Sequence, residues 1–85
     1  MRIELTDSAR KQLKKIDAYN RNRIIKYLFE VEKLEDPRSR GKAMVENMRG
    51  LWRYRVGDYR IICEIFEEAV LISVIKIGHR RDVYK

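Results

Sequence analysis

The chain holds one cysteine, one proline, one histidine and four glycines in 85 residues, and each scarcity closes off a class of protein. A lone cysteine, Cys63, forbids an internal disulfide and so removes the usual scaffold of small secreted domains. It stands between Ile62 and Ile65 in an apolar stretch, the setting of a small buried hydrophobe and not of a nucleophile. One cysteine and one histidine, His79, leave too few soft ligands for zinc, so neither metal nor cofactor is expected. No apolar run approaches membrane-spanning length, and Met1-Arg2-Ile3-Glu4 lacks the apolar stretch of a secretory leader. These absences predict an unprocessed, cytoplasmic chain with no membrane partner. Negative charge is also in short supply: 13 acidic side chains stand against 20 basic ones, a formal net charge of +7.

What is present describes a globular fold. Charged residues make up 39% and hydrophobic ones 45%, with clear periodicity, a composition that a disordered chain does not have. The length suits a single domain over residues 1–85. Residues 1–50 carry 13 basic and 8 acidic side chains against 7 and 5 in residues 51–85, so the positive excess is spread and not held in a tail. Nucleic acid is the first partner such a field suggests, and an acidic protein would satisfy it equally.

Arg2-Ile3-Glu4-Leu5-Thr6 alternates as a short strand does. Thr6, Asp7 and Ser8 offer helix caps ahead of an apolar stripe of Ala9, Leu13 and Ile16. After a break at Asp17-Ala18-Tyr19-Asn20, with Asn20 or Asn22 as the cap, Ile24, Tyr27, Leu28, Val31 and Leu34 mark a second helix. Asp36-Pro37 ends it, because the residue before proline avoids the α region. Residues 37–50 form a basic connector, and three strands follow at about 51–56, 59–66 and 69–77, the last two joined by Glu67-Glu68. The apolar run from Ala69 to Ile75 reads as a central strand buried on both faces. The fold class is α+β: a twisted, mainly antiparallel four-stranded sheet with a helical hairpin on one face, in the order β-α-α-β-β-β.

The segment from Gly50 to Ile62 carries the chemistry. Two strands joined by Gly57-Asp58 form a tight hairpin in which Val56 faces Tyr59, Arg55 faces Arg60 and Arg53 faces Ile62. Side chains alternate across a strand, so Arg53, Arg55 and Arg60 project from one face, while Trp52, Tyr54, Val56, Tyr59, Ile61, Cys63 and Ile65 share the other. Like charges directly opposite each other cost roughly 0.2–1 kcal/mol. The cluster makes sense with an anion on it, and arginine's planar fork suits phosphate. The last strand, set beside the 59–66 strand, brings the tail His79-Arg80-Arg81-Asp82-Val83-Tyr84 to the same end. Lys42 and Arg49 in the connector, and Arg81 in the tail, are further candidates for contact with a polyanion.

Three segments, Met48-Arg49-Gly50-Leu51-Trp52-Arg53-Tyr54-Arg55, Gly57-Asp58-Tyr59-Arg60-Ile61 and Ile77-Gly78-His79-Arg80-Arg81-Asp82-Val83-Tyr84, resemble the RelE branch of the RelE/ParE toxin superfamily in order and spacing. The resemblance spans essentially the whole chain. It implies a toxin that cuts messenger RNA in the ribosomal A site and is neutralised by a cognate antitoxin, with the ribosome and its messenger as the other partner. Arg53 and Arg55 resemble the paired basic residues flanking the scissile phosphate, although the best-known RelE has lysines there. Arg60 matches an arginine that binds a phosphate oxygen, and Arg80, or its neighbour Arg81, the tail arginine. Tyr84 matches a terminal tyrosine that orients the substrate nucleotide. The alternative within the superfamily is a ParE-like inhibitor of DNA gyrase, which needs no nuclease chemistry.

Attack by RNA's own 2′-OH requires in-line alignment, neutralisation of charge on the phosphorane and proton transfers, but no metal. Three arginines suit the second task. They cannot serve as the base, since arginine stays protonated to about pH 12 and beyond. His79, Tyr84 and Glu46 are the candidates left for proton transfer.

Overall fold

Thr6 accepts a hydrogen bond from the Ala9 N–H at 3.1 Å and so opens helix α1 (Asp7–Lys14) in the computed structural model, which describes residues 1–83. A short strand, β1 (Arg2–Leu5), precedes it. Helix α2 (Ala18–Glu32) starts earlier than the asparagine caps predict, because Asp17 caps it. The Asp17 carboxylate accepts from the Asn20 N–H at 3.0 Å and from the Asn20 side-chain amide at 2.9 Å. Those two bonds hold the Asp17 carboxyl below its ordinary pKa and carry the helix through Ala18-Tyr19.

Three long strands, β3 (Trp52–Val56), β4 (Tyr59–Phe66) and β5 (Leu71–His79), follow the connector. The expected sheet has four strands, and the structure has five. The extra one, β2 (Lys42–Ala43), is a two-residue strand drawn out of the connector, with Lys42 opposite Arg53 and Ala43 opposite Trp52. The sheet order is β1-β5-β4-β3-β2, with β1 parallel to β5 and every other pair antiparallel. Side chains from β3 hold the connector in place. The Tyr54 hydroxyl donates to the Pro37 carbonyl at 2.6 Å and Trp52 Nε1 to the Arg40 carbonyl at 2.8 Å. Gly41, at φ +82°, is required at this crossing, since a Cβ there would lie 2.4 Å from the Arg53 carbonyl oxygen.

Ala9, Leu13, Ile16, Ile24, Leu28 and Val31 pack against Tyr54, Ile61, Cys63, Ile72, Val74 and Ile77 to form the core. The hairpin register is as the turn predicts: Val56 faces Tyr59, Arg55 faces Arg60 and Arg53 faces Ile62. Two expectations are corrected. The β4–β5 connection is a four-residue turn over 67–70, with Val70 at φ +51°, so β5 begins at Leu71. The central strand is also not buried on both faces. Ile72, Val74 and Ile77 are buried towards the helices, whereas Leu71, Ser73 and Ile75 on the other face stay half-exposed. That second face is covered locally by the tail. A Cβ at Gly78 would lie 3.3 Å from the Val83 Cβ, and both Val83 and Ile62 are buried although neither belongs to the main core cluster.

Candidate functional site

The hairpin turn organises the site. Gly57 adopts φ +58°, the left-handed value that a tight turn demands of its first central residue. Its carbonyl oxygen accepts from Arg55 Nε at 3.4 Å and from Arg60 Nη1 at 3.2 Å, so two guanidinium groups converge on one atom. Arg60 Nη1 also donates to the Tyr59 carbonyl at 3.3 Å. Arg80 joins them from the tail, its N–H donating to the Asp58 carbonyl at 2.7 Å and its Nε lying 3.8 Å from the Asp58 carboxylate. Pairing of β4 with β5 delivers it there, with Tyr59 opposite His79 and Arg60 opposite Gly78.

Arg53 stands two residues from Arg55 on the same face and meets Lys42 across the β2–β3 pair. With Gly41 and Tyr27 these three cations line a cleft of about 200 Å³. Among the described residues no carboxylate belongs to that lining, which is cationic apart from the Tyr27 phenol and Gly41. Tyr27 was absent from the sequence candidates because its place in the apolar stripe assigns it to the core. It is half-buried there, edge-on to Tyr54 with ring centroids 5.9 Å apart. Burial pushes its hydroxyl pKa up, and the neighbouring Arg40 guanidinium partly offsets the rise. Asp58 was missed as well. A turn residue gives no sign in sequence that a tail arginine will find it.

The remaining candidates fall in different places. Arg81 donates its backbone N–H to His79 Nδ1 at 3.2 Å, and its side chain is exposed. Since Nδ1 is thereby an acceptor, the imidazole proton belongs on Nε2. The His79 ring packs edge-on to Tyr59 at 5.7 Å. Arg49 and Glu46 lie in the connector just before β3, at the opposite end of that strand from the Gly57 turn. Both thus sit away from the Gly57 turn on which Arg55 and Arg60 converge. Tyr84 lies outside the described residues. Cys63 is wholly buried, and burial pushes its thiol pKa up to about 12, which leaves no thiolate for nucleophilic work.

The arrangement can bind a phosphate by several forked donors at once and neutralise charge that develops on it. Comparison with known proteins bears on the family and the fold. A sequence model of the family described as ParE toxin of type II toxin-antitoxin system, parDE, matches residues 3–84. Toxin RelG of Mycobacterium tuberculosis is 24% identical over 83 residues, covering 98% of this chain and 94% of that protein. Among solved structures, the toxin–antitoxin complex RelBE2 of Mycobacterium tuberculosis aligns with a TM-score of 0.83 at 22% identity, covering 93% of this chain and 96% of that one. The isolated E. coli RelE toxin aligns with a TM-score of 0.73 at 22% identity, covering 98% of this chain and 89% of that one. The five-stranded sheet and helical hairpin described above are the fold these proteins share.

Proposed function

The chain belongs to the ParE toxin family of type II toxin–antitoxin systems, within a superfamily whose RelE-like fold it shares, and we propose that it acts by cutting messenger RNA in the ribosomal A site. The observation that supports this reading is the convergence of Arg55 and Arg60 on the Gly57 carbonyl. Arg80 is tied to the same turn, and Arg53 lines the adjoining cleft. A fold alone gains nothing from opposing two arginines across a strand pair. A phosphodiester that accumulates charge in its transition state gains a great deal.

In this mechanism the RNA supplies its own nucleophile. The 2′-OH attacks the adjacent phosphorus, the 5′-oxygen leaves, and the products are a 2′,3′-cyclic phosphate and a 5′-hydroxyl. Arg55 and Arg60 neutralise the phosphorane, and Arg53 with Lys42 holds the flanking backbone. The ribosome supplies alignment, which is worth up to roughly 7–11 kcal/mol in favourable cases. Regulation comes from a cognate antitoxin, the kind of partner present in the RelBE2 complex of Mycobacterium tuberculosis. An acidic segment folding on this basic surface would complement its charge.

Purified protein mixed with ribosomes on a defined messenger tests the reading. Cuts at A-site codons with 5′-hydroxyl ends are the expected product, and Arg60→Ala is expected to lower their rate by roughly 10²–10³-fold. Intact messenger at saturating protein refutes it. One observation favours a second reading: the matching family model is that of the ParE toxins. A protein that leaves messenger intact but stops DNA supercoiling by gyrase would be a ParE-like inhibitor instead.

A further inference from the structure

Helix α2 brings another guanidinium, that of Arg23, to the hairpin tip. A Cβ at Gly57 would lie 3.1 Å from Arg23 Nη1 and 3.5 Å from Nη2, so this side chain is laid against the turn. The Gly57 carbonyl accepts from Arg55 and Arg60. Arg23 Cζ stands 5.5 Å from the centroid of the Tyr19 ring, one helical turn back. Its other contact is a long hydrogen bond from Nη1 to Asn20 Oδ1 at 3.4 Å, and no ion pair holds it among the described residues. The nearest acid in sequence, Asp17, is occupied by its two bonds to Asn20.

Tyr19 is 70% exposed, the joint largest exposure of any bulky apolar side chain among the described residues. It does nothing for the core, whose α2 contribution begins at Ile24. An aromatic ring left in water, with a guanidinium fixed over one face and further guanidiniums at the same two-residue turn, has the parts of a single-stranded RNA platform. Such platforms pair a base-stacking ring with a cation that takes the backbone.

We propose that Tyr19 and Arg23 form a second RNA contact at the hairpin tip, with Tyr19 stacking on the base of a nucleotide flanking the cleaved one and Arg23 holding its phosphate. The inference rests on the nuclease reading, since a strand seated on Arg55 and Arg60 reaches Arg23 at the same turn. The site is sequence-tolerant, because every base offers a face to stack.

The test uses a fluorescent single-stranded RNA oligonucleotide carrying 2′-O-methyl groups, which cannot be cut by 2′-OH attack, and reads Kd by anisotropy. Tyr19→Ala is expected to raise Kd roughly 5- to 150-fold, whereas Tyr19→Phe stays close to the parent. Arg23→Ala is expected to raise Kd and to reduce the slope of log Kd against log salt by about 0.7. Removing nucleotides from one end of the oligonucleotide should abolish the Tyr19→Ala effect, and removing them from the other should not. Binding by Tyr19→Ala and Arg23→Ala equal to the parent, with Arg60→Ala weakened, overturns the platform and leaves the nuclease reading standing. A parent chain that does not bind the oligonucleotide also overturns the platform. Loss of A-site cleavage altogether is a separate outcome, read on ribosomes, and it overturns the nuclease reading as well.

Discussion

Replacing Arg60 by threonine should make the protein more stable and less active, and the opposed directions separate a site residue from a structural one. Arg60 sits directly opposite Arg55 in the β3–β4 register, where like charges cost roughly 0.2–1 kcal/mol. Its own bonds, at 3.2 and 3.3 Å to the Gly57 and Tyr59 carbonyls, are long and lie near solvent, so they offset little of that cost. Threonine adds the β-propensity of a branched side chain. In a domain of this size 1 kcal/mol moves Tm by about 4–8 °C, so the variant should melt higher than the parent by up to about 8 °C at low salt. The charge part of that gain should fade in about 1 M salt, where the screening length contracts to about 3 Å. Cleavage of A-site messenger should fall in the same variant by roughly 10²–10³-fold. Thermal melts by circular dichroism at two salt concentrations, paired with the ribosome assay, read both arms. A variant that melts below the parent at low salt shows that Arg60 holds the fold together, and the argument from opposed charges fails.

Tyr54→Phe leaves the buried Pro37 carbonyl without its 2.6 Å donor and should cost about 1–3 kcal/mol, read from chemical denaturation. Because that bond pins the connector carrying Lys42, RNA binding should weaken with it. Val70→Gly relieves a β-branched residue held at φ +51° on an exposed turn and should raise stability by about 1 kcal/mol, with no change in activity. Cys63 should resist thiol reagents at pH 8 until the chain unfolds, since burial raises its pKa from 9.0 to about 12. The thiol is the neutral form, so its contribution to stability is full below the unfolded pKa and is lost as pH rises from about 9 towards 12. Cys63→Ala should flatten that alkaline part of the melting profile.

Much of this site is legible in the residues because a two-residue turn sets strand register. Gly57-Asp58 alone places Arg55 opposite Arg60 and Arg53 opposite Ile62, and alternation does the rest. The helical stripe from Ile24 to Val31 is equally readable, for a period of 3.6 needs no tertiary knowledge. The failures share a cause. Asp17 as a cap, β2 as a strand and Val83 as the cover for Gly78 each depend on an approach by another segment, which local pattern does not record. Tyr27 shows the subtler form. Its position in the stripe is correct, yet the sheet edge beyond the short β2 leaves its ring lining a cationic cleft.

The proton-transfer step is where sequence and geometry together press hardest on the proposed chemistry. Arginine cannot take the 2′-OH proton at neutral pH, and Glu46 lies at the far end of β3 from the turn. His79 stands at the correct end, opposite Tyr59. Its Nδ1 lone pair, however, is committed to the Arg81 N–H, and the neutral ring then carries its proton on Nε2, where it can donate but not accept. Acting as a base would require His79 to release Arg81 and so to loosen the turn that also buries Val83. With Nδ1 held by Arg81, His79 can offer its Nε2–H as a hydrogen bond to the departing 5′-oxygen, but it has no lone pair free for the 2′-OH proton. Under the nuclease reading the described residues thus supply charge neutralisation and a donor but no ready acceptor, and free RNA should be a poor substrate. His79→Phe tests the asymmetry. Cleavage of a messenger with an activated leaving group, such as a 5′-bridging sulfur, should survive the substitution far better than cleavage of the natural linkage, because a thiolate needs no proton to depart. Equal losses on both substrates would show that His79 acts before bond breaking, and the donor assignment would fall.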